Sequence, residues 1–186
     1  MSYVLFISEA KLKDSTAINL NVDVELLLPY VRQAQKLYVE TKLGTKLNQK
    51  LKDLIEKSHN QNINILVDYV ANHVHQEHPV YKQHPYWATD LYLPDGTENT
   101  QKWDEYRLTT WFDTFMPSLD FSKPEVVDAM TDSALFWFEN YPIDGFRHDA
   151  TKHIPEEFWR ALTFKLKKRV IEPQDRNNYQ IGETYG

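Results

Sequence analysis

Ile143-Asp144-Gly145-Phe146-Arg147-His148-Asp149 decides the fold. The run from Ile143 to His148 lies between two helical stretches and reads as a short strand of a parallel sheet. Alternation along that strand puts Arg147 and Asp149 on the same side. Upstream, Ser122-Lys123-Pro124-Glu125 opens a helix: Ser122 and Glu125 stand at capping-box spacing, and Pro124 suits a first turn. Val127, Met130, Ala134 and Phe138 form its apolar face, and Tyr141-Pro142 ends it. Downstream, Pro155-Glu156-Glu157 opens another helix that buries Phe158, Leu162, Leu166 and Val170. Its acidic start and its basic end, Lys165 to Arg169, match the helix dipole. Ile63-Asn64-Ile65-Leu66-Val67 and Tyr179-Gln180-Ile181-Gly182 read as the strands on either side. Strand, helix, strand, helix, strand implies right-handed crossovers and a parallel α/β sheet.

Composition breaks near residue 60. Residues 1–60 hold nine basic and seven acidic side chains, whereas the rest hold twelve and twenty. All five tryptophans lie in the second part. The break suggests two parts: a helical N-terminal arm of different origin over 1–48, and an α/β part over 49–186. In the arm, Tyr30, Val31, Ala34, Leu37 and Tyr38 form a helical stripe that Gly44 is placed to end. A second helix follows, with Leu47, Leu51, Leu54 and Ile55 on one face. This first part reads as helical.

The whole chain has 186 residues, no cysteine and a net charge of −6. Disulfides and cysteine metal sites are therefore excluded. The negative charge argues against a general nucleic-acid surface. No apolar run approaches a membrane span, and Met1 to Glu9 does not read as a signal peptide, so the default location is cytoplasmic. Nothing in the sequence fixes an oligomeric state.

Residues 74–121 form an unusually long connection between a strand and the helix that follows. They hold Trp87, Trp103 and Trp111, several tyrosines and the turn Pro94-Asp95-Gly96, so they read as an inserted subdomain. Single tryptophans here are more often core than ligand platforms.

Polar residues gather at the C-terminal strand ends, where α/β proteins build active sites. Asp68-Tyr69-Val70-Ala71-Asn72-His73 follows the first strand, Arg147 to His153 the second, and Gly182-Glu183 the third. A guanidinium beside a carboxylate keeps it ionised and oriented, which suits Asp149 as a nucleophile. Glu183, one strand over, suits a general acid if its surroundings raise its pKa. Two carboxylates about 5–5.5 Å apart form the retaining glycosidase arrangement. The bland alternatives are that Arg147 and Asp149 form a structural ion pair, and that Asp68 is a strand-end turn residue. His148 is expected to pack behind the site. His73, His75, Glu77 and His78 lack the spacing of known zinc proteases.

Asp68 to His73, Gly145-Phe146-Arg147-His148-Asp149-Ala150-Thr151-Lys152-His153 and Gly182-Glu183-Thr184-Tyr185-Gly186 resemble three ordered conserved regions of the alpha-amylase family of glycoside hydrolases. Met116-Pro117-Ser118-Leu119-Asp120 resembles the motif that closes the family's inserted domain. The resemblance covers about residues 50–186. It implies part of a (β/α)8 TIM barrel, strands three to five with the inserted subdomain, acting on α-1,4-glucans such as starch or maltodextrin. It also implies roles: Asp149 as nucleophile, Glu183 as general acid/base, and Arg147 as the group orienting the nucleophile. His73 would bind the sugar at the cleavage subsite, Lys152 and His153 would line the acceptor subsite, and Asp68 would support its loop. Asn72 and the His153 carbonyl would be calcium ligands, as in many members, with Asn72 as a plain loop cap the alternative.

Such a barrel takes ~250 residues or more. A truncated fragment is therefore expected, with neither the family's first strand nor its third catalytic acid. That makes the isolated chain inactive, and glucan binding by an inactive hybrid is the alternative. A last alternative is an assembly module, because Ile7 to Leu12 and Leu37 to Gly44 resemble helical neck proteins of tailed phages.

Overall fold

A computed structural model describes residues 3–7 and 45–184. The chain divides into two compact units, Met1–Asp68 with Phe138–Gly145 and Tyr69–Trp137 with Phe146–Gly186.

In the first unit, β1 (Tyr3–Ile7) pairs in parallel with β2 (Ile63–Tyr69), Tyr3 opposite Ile63 and Ile7 opposite Val67. This corrects the reading of the first part as helical, because a strand stands at its start. The uninterrupted run Tyr3-Val4-Leu5-Phe6-Ile7 has the strand composition, but no turn residue marks its end. The phage-like segments lie outside the described residues apart from Ile7, as does the helix expected over Tyr30 to Tyr38.

Helix α1 (Thr45–His59) carries Leu54 and Ile55 into the core, while Leu51 stays half-buried. It ends through Asn62, whose φ of 58° is left-handed, a conformation asparagine tolerates better than most residues. Asp144 then ties two segments together. Its carboxylate accepts from the Ile65 N–H at 2.7 Å and lies 2.8 Å from His59 Nε2, and its own N–H donates to the Ile65 carbonyl at 2.8 Å.

The second unit starts at Tyr69, so β2 runs two residues past the expected end at Val67 and includes Asp68. Residues 74–121 contain the short helix α2 (Pro79–Gln83) and a 3-10 turn at Pro85–Trp87. The rest of that stretch is held mainly by isolated bridges, among them His73 with Ser118 and Thr100 with Trp111. Trp111 is core: it is buried, and its indole N–H donates to the Thr89 carbonyl at 3.0 Å. Gly96, at φ 83°, makes the turn after Pro94-Asp95.

Helix α3 (Pro124–Asn140) stops before Tyr141-Pro142, as the sequence requires. Its start differs from expectation. The Ser122 backbone N–H and hydroxyl both donate to Asp120 Oδ1, at 3.1 and 2.6 Å, so the backbone donor that a capping box offers to Glu125 is already taken by the aspartate two residues back. The buried face is Val126, Met130, Ala134, Leu135 and Phe138, with Val127 only half-buried.

Strand β3 (Gly145–His148) lies beside β4 (Tyr179–Gly182). Between them run α4 (Glu156–Leu166), a π-turn at Lys167–Ile171 and α5 (Glu172–Gln174). Phe158, Leu162, Leu166 and Val170 are buried, as their spacing predicts. Phe146 is fully buried and Phe158 meets Phe121 edge-on at 5.1 Å. Each such side chain contributes about 1.5–3 kcal/mol by leaving water.

Candidate active site

Arg147 holds two carboxylates. One arm donates to Asp149 Oδ1 at 2.9 Å, and the other pairs with Glu183 Oε2. Arg147 and Asp149 share a side because they lie two apart along the strand end. Glu183 arrives from β4, where its N–H donates to the His148 carbonyl at 2.9 Å and its carbonyl accepts from the Thr151 N–H at 3.1 Å. The Arg147 side chain is 11% exposed, against 24% and 25% for the carboxylates. The guanidinium between the two acids fixes where they point.

The backbone turns sharply after Asp149. Ala150 has φ 50° and ψ 37°, a left-handed conformation that costs a non-glycine residue roughly 1–2 kcal/mol. The turn throws Thr151–His153 into a 3-10 turn. The Thr151 hydroxyl ties it to the His148 carbonyl at 3.0 Å, and the Asp149 N–H donates to the Tyr69 carbonyl at 3.2 Å. His148 packs behind, buried, with Nε2 2.5 Å from Gln180 Oε1 and its ring edge-on to Trp159.

Asp149, Glu183, Lys152 and His153 line one cavity of about 510 Å³ with Trp103, Asp104, Phe112 and Ala150. The inserted stretch supplies the first three of these additional residues. Trp103 thus joins the cavity, against the expectation that its class is core. Phe112 is the hub of the aromatic wall. It stacks on His73 at 4.2 Å and 24°, and meets Trp103 at 4.6 Å and His153 at 5.3 Å.

Lys152 and His153 are clamped from the inserted stretch. Lys152 Nζ pairs with Asp104 at 3.0 Å, and Arg107 donates to the Lys152 carbonyl at 2.5 Å. His153 Nδ1 lies 2.7 Å from the Arg107 carbonyl. A carbonyl only accepts, so Nδ1 carries the proton and Nε2 is the acceptor of a neutral ring. Burial pushes His153 below the ordinary histidine range, partly countered by that bond to Arg107. His73 is pushed down by burial too; the Asp149 carboxylate opposes this and His153 adds to it. Asp104, Arg107 and Phe112 escaped sequence reading because nothing periodic links them to the strand ends.

Asp68 lies within β2 in the first unit, half-buried. Asn72 is buried; its Nδ2 donates to Ser118 Oγ at 3.3 Å and lies 3.5 Å from His73 Nδ1. Calcium needs six to eight oxygens. Among the described residues no group of three or more His, Asp or Glu side chains gathers as a donor set. Asn72 Oδ1 and the His153 carbonyl are two oxygens of the six to eight that calcium takes, so the described residues do not by themselves make up the implied site, and no step below runs through a metal.

The alpha amylase catalytic-domain family model matches residues 35–180. The chain belongs to the alpha-amylase family. The match reaches back into the stretch assigned to the arm and includes the second phage-like segment. Alpha-amylase 3 of Dictyoglomus thermophilum is 30% identical over 174 residues, covering 80% of this chain and 34% of that protein. A cyclomaltodextrinase of Geobacillus thermopakistaniensis is 27% identical over 144 residues, covering 73% and 23%. The crystal structure of the Geobacillus thermoleovorans alpha-amylase complexed with acarbose superimposes at TM-score 0.60 with 26% identity, covering 75% of this chain and 29% of that one. The chain thus spans about a third or less of the length of these relatives. Its described strands and helices are part of the family's (β/α)8 barrel. Among the described residues no helix is long and apolar enough to cross a membrane.

Proposed function

We propose that this alpha-amylase family segment carries the retaining cleavage centre for α-1,4-glucans. The observation that carries it is one guanidinium shared by Asp149 and Glu183 on the wall of an aromatic cavity. Asp149 is the nucleophile: held by Arg147, it attacks the anomeric carbon as the glycosidic bond breaks. Glu183 gives its proton to the leaving oxygen, then takes one from the water that releases the sugar. Protonated Glu183 binds Arg147 more weakly than its carboxylate does, so the acid form requires Glu183 to turn partly from Arg147 toward substrate. Neutral His73 donates from Nε2 to the sugar in the cleavage subsite. Lys152 and His153 hold the acceptor side. Asp68 supports the loop after β2. The named activities of the relatives, alpha-amylase and cyclomaltodextrinase, support an α-glucan as substrate.

The test is maltoheptaose cleavage, with product anomers followed by NMR. The 186-residue chain is assayed alone and fused to the remaining barrel of the Dictyoglomus relative. Cleavage with retained configuration, abolished by Asp149→Asn in a folded protein, is expected of the fusion. A folded fusion that cleaves no α-glucan, or one that inverts configuration, overturns the proposal. Turnover by the chain alone overturns the narrower expectation that this segment is inactive in isolation.

A further inference from the structure

The Asp104 side chain is 93% exposed, yet it lines the cleavage cavity and accepts from Lys152 Nζ at 3.0 Å. An ion pair that open to water adds little to stability. Nor does the carboxylate hold its own loop. The backbone closes that turn without it: the Tyr106 N–H donates to the Lys102 carbonyl at 3.0 Å and the Thr110 N–H to the Tyr106 carbonyl at 2.8 Å. The Lys102 N–H adds a bond to the Thr110 hydroxyl at 2.9 Å. Among the described residues, Lys152 is the one group that Asp104 bonds.

The lysine is held at both ends from this one turn, its carbonyl by Arg107 and its ammonium by Asp104. An ammonium has three N–H donors, and Asp104 is its one bonded partner among the described residues. Two donors are left at a cavity that Asp149 and Glu183 also line. A lysine stem is flexible, so an unheld ammonium loses its aim. Those two carboxylates are then the other anionic partners on the cavity wall, and both are already bound by Arg147. Holding the ammonium beforehand also lowers the ordering cost when a ligand binds. We infer that Asp104 is a positioning residue: it aims the Lys152 ammonium at the acceptor side, keeps it off Asp149 and Glu183, and acts on substrate only through that lysine. The acceptor-side role rests on the proposed function above; the hold on the ammonium does not.

The test uses the full 186-residue chain, with circular dichroism as a fold control. Its lysines are labelled at Cε for NMR, and the Lys152 signal is assigned by its loss in Lys152→Met. Asp104→Asn, which keeps the shape and drops the charge, should shift that signal; Asp104→Glu should bring it part of the way back. Maltoheptaose affinity is then measured by calorimetry. Asp104→Asn should weaken it on the order of fivefold, the upper end for an exposed ion pair. In a Lys152→Met background the same change should do nothing, because its effect runs through the lysine. A Lys152 signal indifferent to Asp104→Asn overturns the inference. So does an Asp104→Asn chain that binds as tightly as the parent, and so does equal weakening with and without Lys152, which makes Asp104 act on the sugar or the loop directly. Wherever maltoheptaose still binds, these outcomes leave the proposed function standing. A shifted Lys152 signal with no maltoheptaose binding by any of the proteins supports the hold on the ammonium, overturns the acceptor-side role and counts against the proposed function.

Discussion

Phe112 lies nearly flat on His73, ring centroids 4.2 Å apart at 24°. The same phenyl ring also touches Trp103 and His153, so one side chain from the inserted stretch positions three others. Phe112→Ala is expected to free all three rings. Maltoheptaose affinity in the cleavage cavity should fall on the order of tenfold, since a lost aromatic contact costs about 0.5–1.5 kcal/mol and His73 is left unrestrained. Calorimetry checks it. Phe112→Tyr should recover most of the loss.

Arg147→Ala removes the cation that bridges Asp149 and Glu183, leaving two acids facing each other. Removing one partner of a buried pair costs about 3–5 kcal/mol; with the carboxylates about a quarter exposed, the lower end or below is expected. Arg147→Lys restores charge but not the two-armed geometry. Urea unfolding should show most of the stability returned in the lysine variant. Turnover by the fusion should remain reduced about a hundredfold through misplaced carboxylates.

Gly182 leaves no room for a side chain. A Cβ there would sit 2.9 Å from Thr151 Oγ1 and 3.0 Å from its Cγ2. Gly182→Ala must push β4 and Thr151 apart, next to the backbone bonds that place Glu183. A loss of about 1–3 kcal/mol in urea unfolding is expected, as for other overpacked sites. Adding Thr151→Ser removes the nearby methyl and should recover part of it, a coupling that a double-mutant cycle measures.

His73 and His153 both titrate below the ordinary histidine value of 6.5, burial being the first cause for each. In the unfolded chain they bind protons near that ordinary value, so below it the unfolded state holds more protons than the folded one. Stability therefore falls as pH drops through about 6.5 toward the folded values, and is level above about 7.5. Urea unfolding between pH 5 and 8 checks the slope. His73→Asn should flatten it, and a slope of opposite sign would contradict the burial argument.

Sequence periodicity revealed what repeats along the chain. The shared side of Arg147 and Asp149 follows from a period of two, and the buried face of α4 from a helical one. Positions at element ends were legible less well. Ser122 looked like the start of a capping box, but Asp120 takes the backbone N–H that Glu125 would need, and β2 runs on to Tyr69. The clamp on Lys152 and His153 was not legible at all. Its partners Asp104 and Arg107 stand 45 to 48 residues away, joined only by tertiary folding. The cavity's chemistry was readable from the strand ends, but its aromatic wall belongs to an irregular stretch with no period to read.

That clamp has an evolutionary consequence. Arg107 donates to the carbonyl of Lys152 while its own carbonyl accepts from His153. The loop after β3 is thus adjusted to one particular insertion, and the two must be inherited together. A homologous insertion exchanged without Lys152 and His153 would bring a mismatched latch.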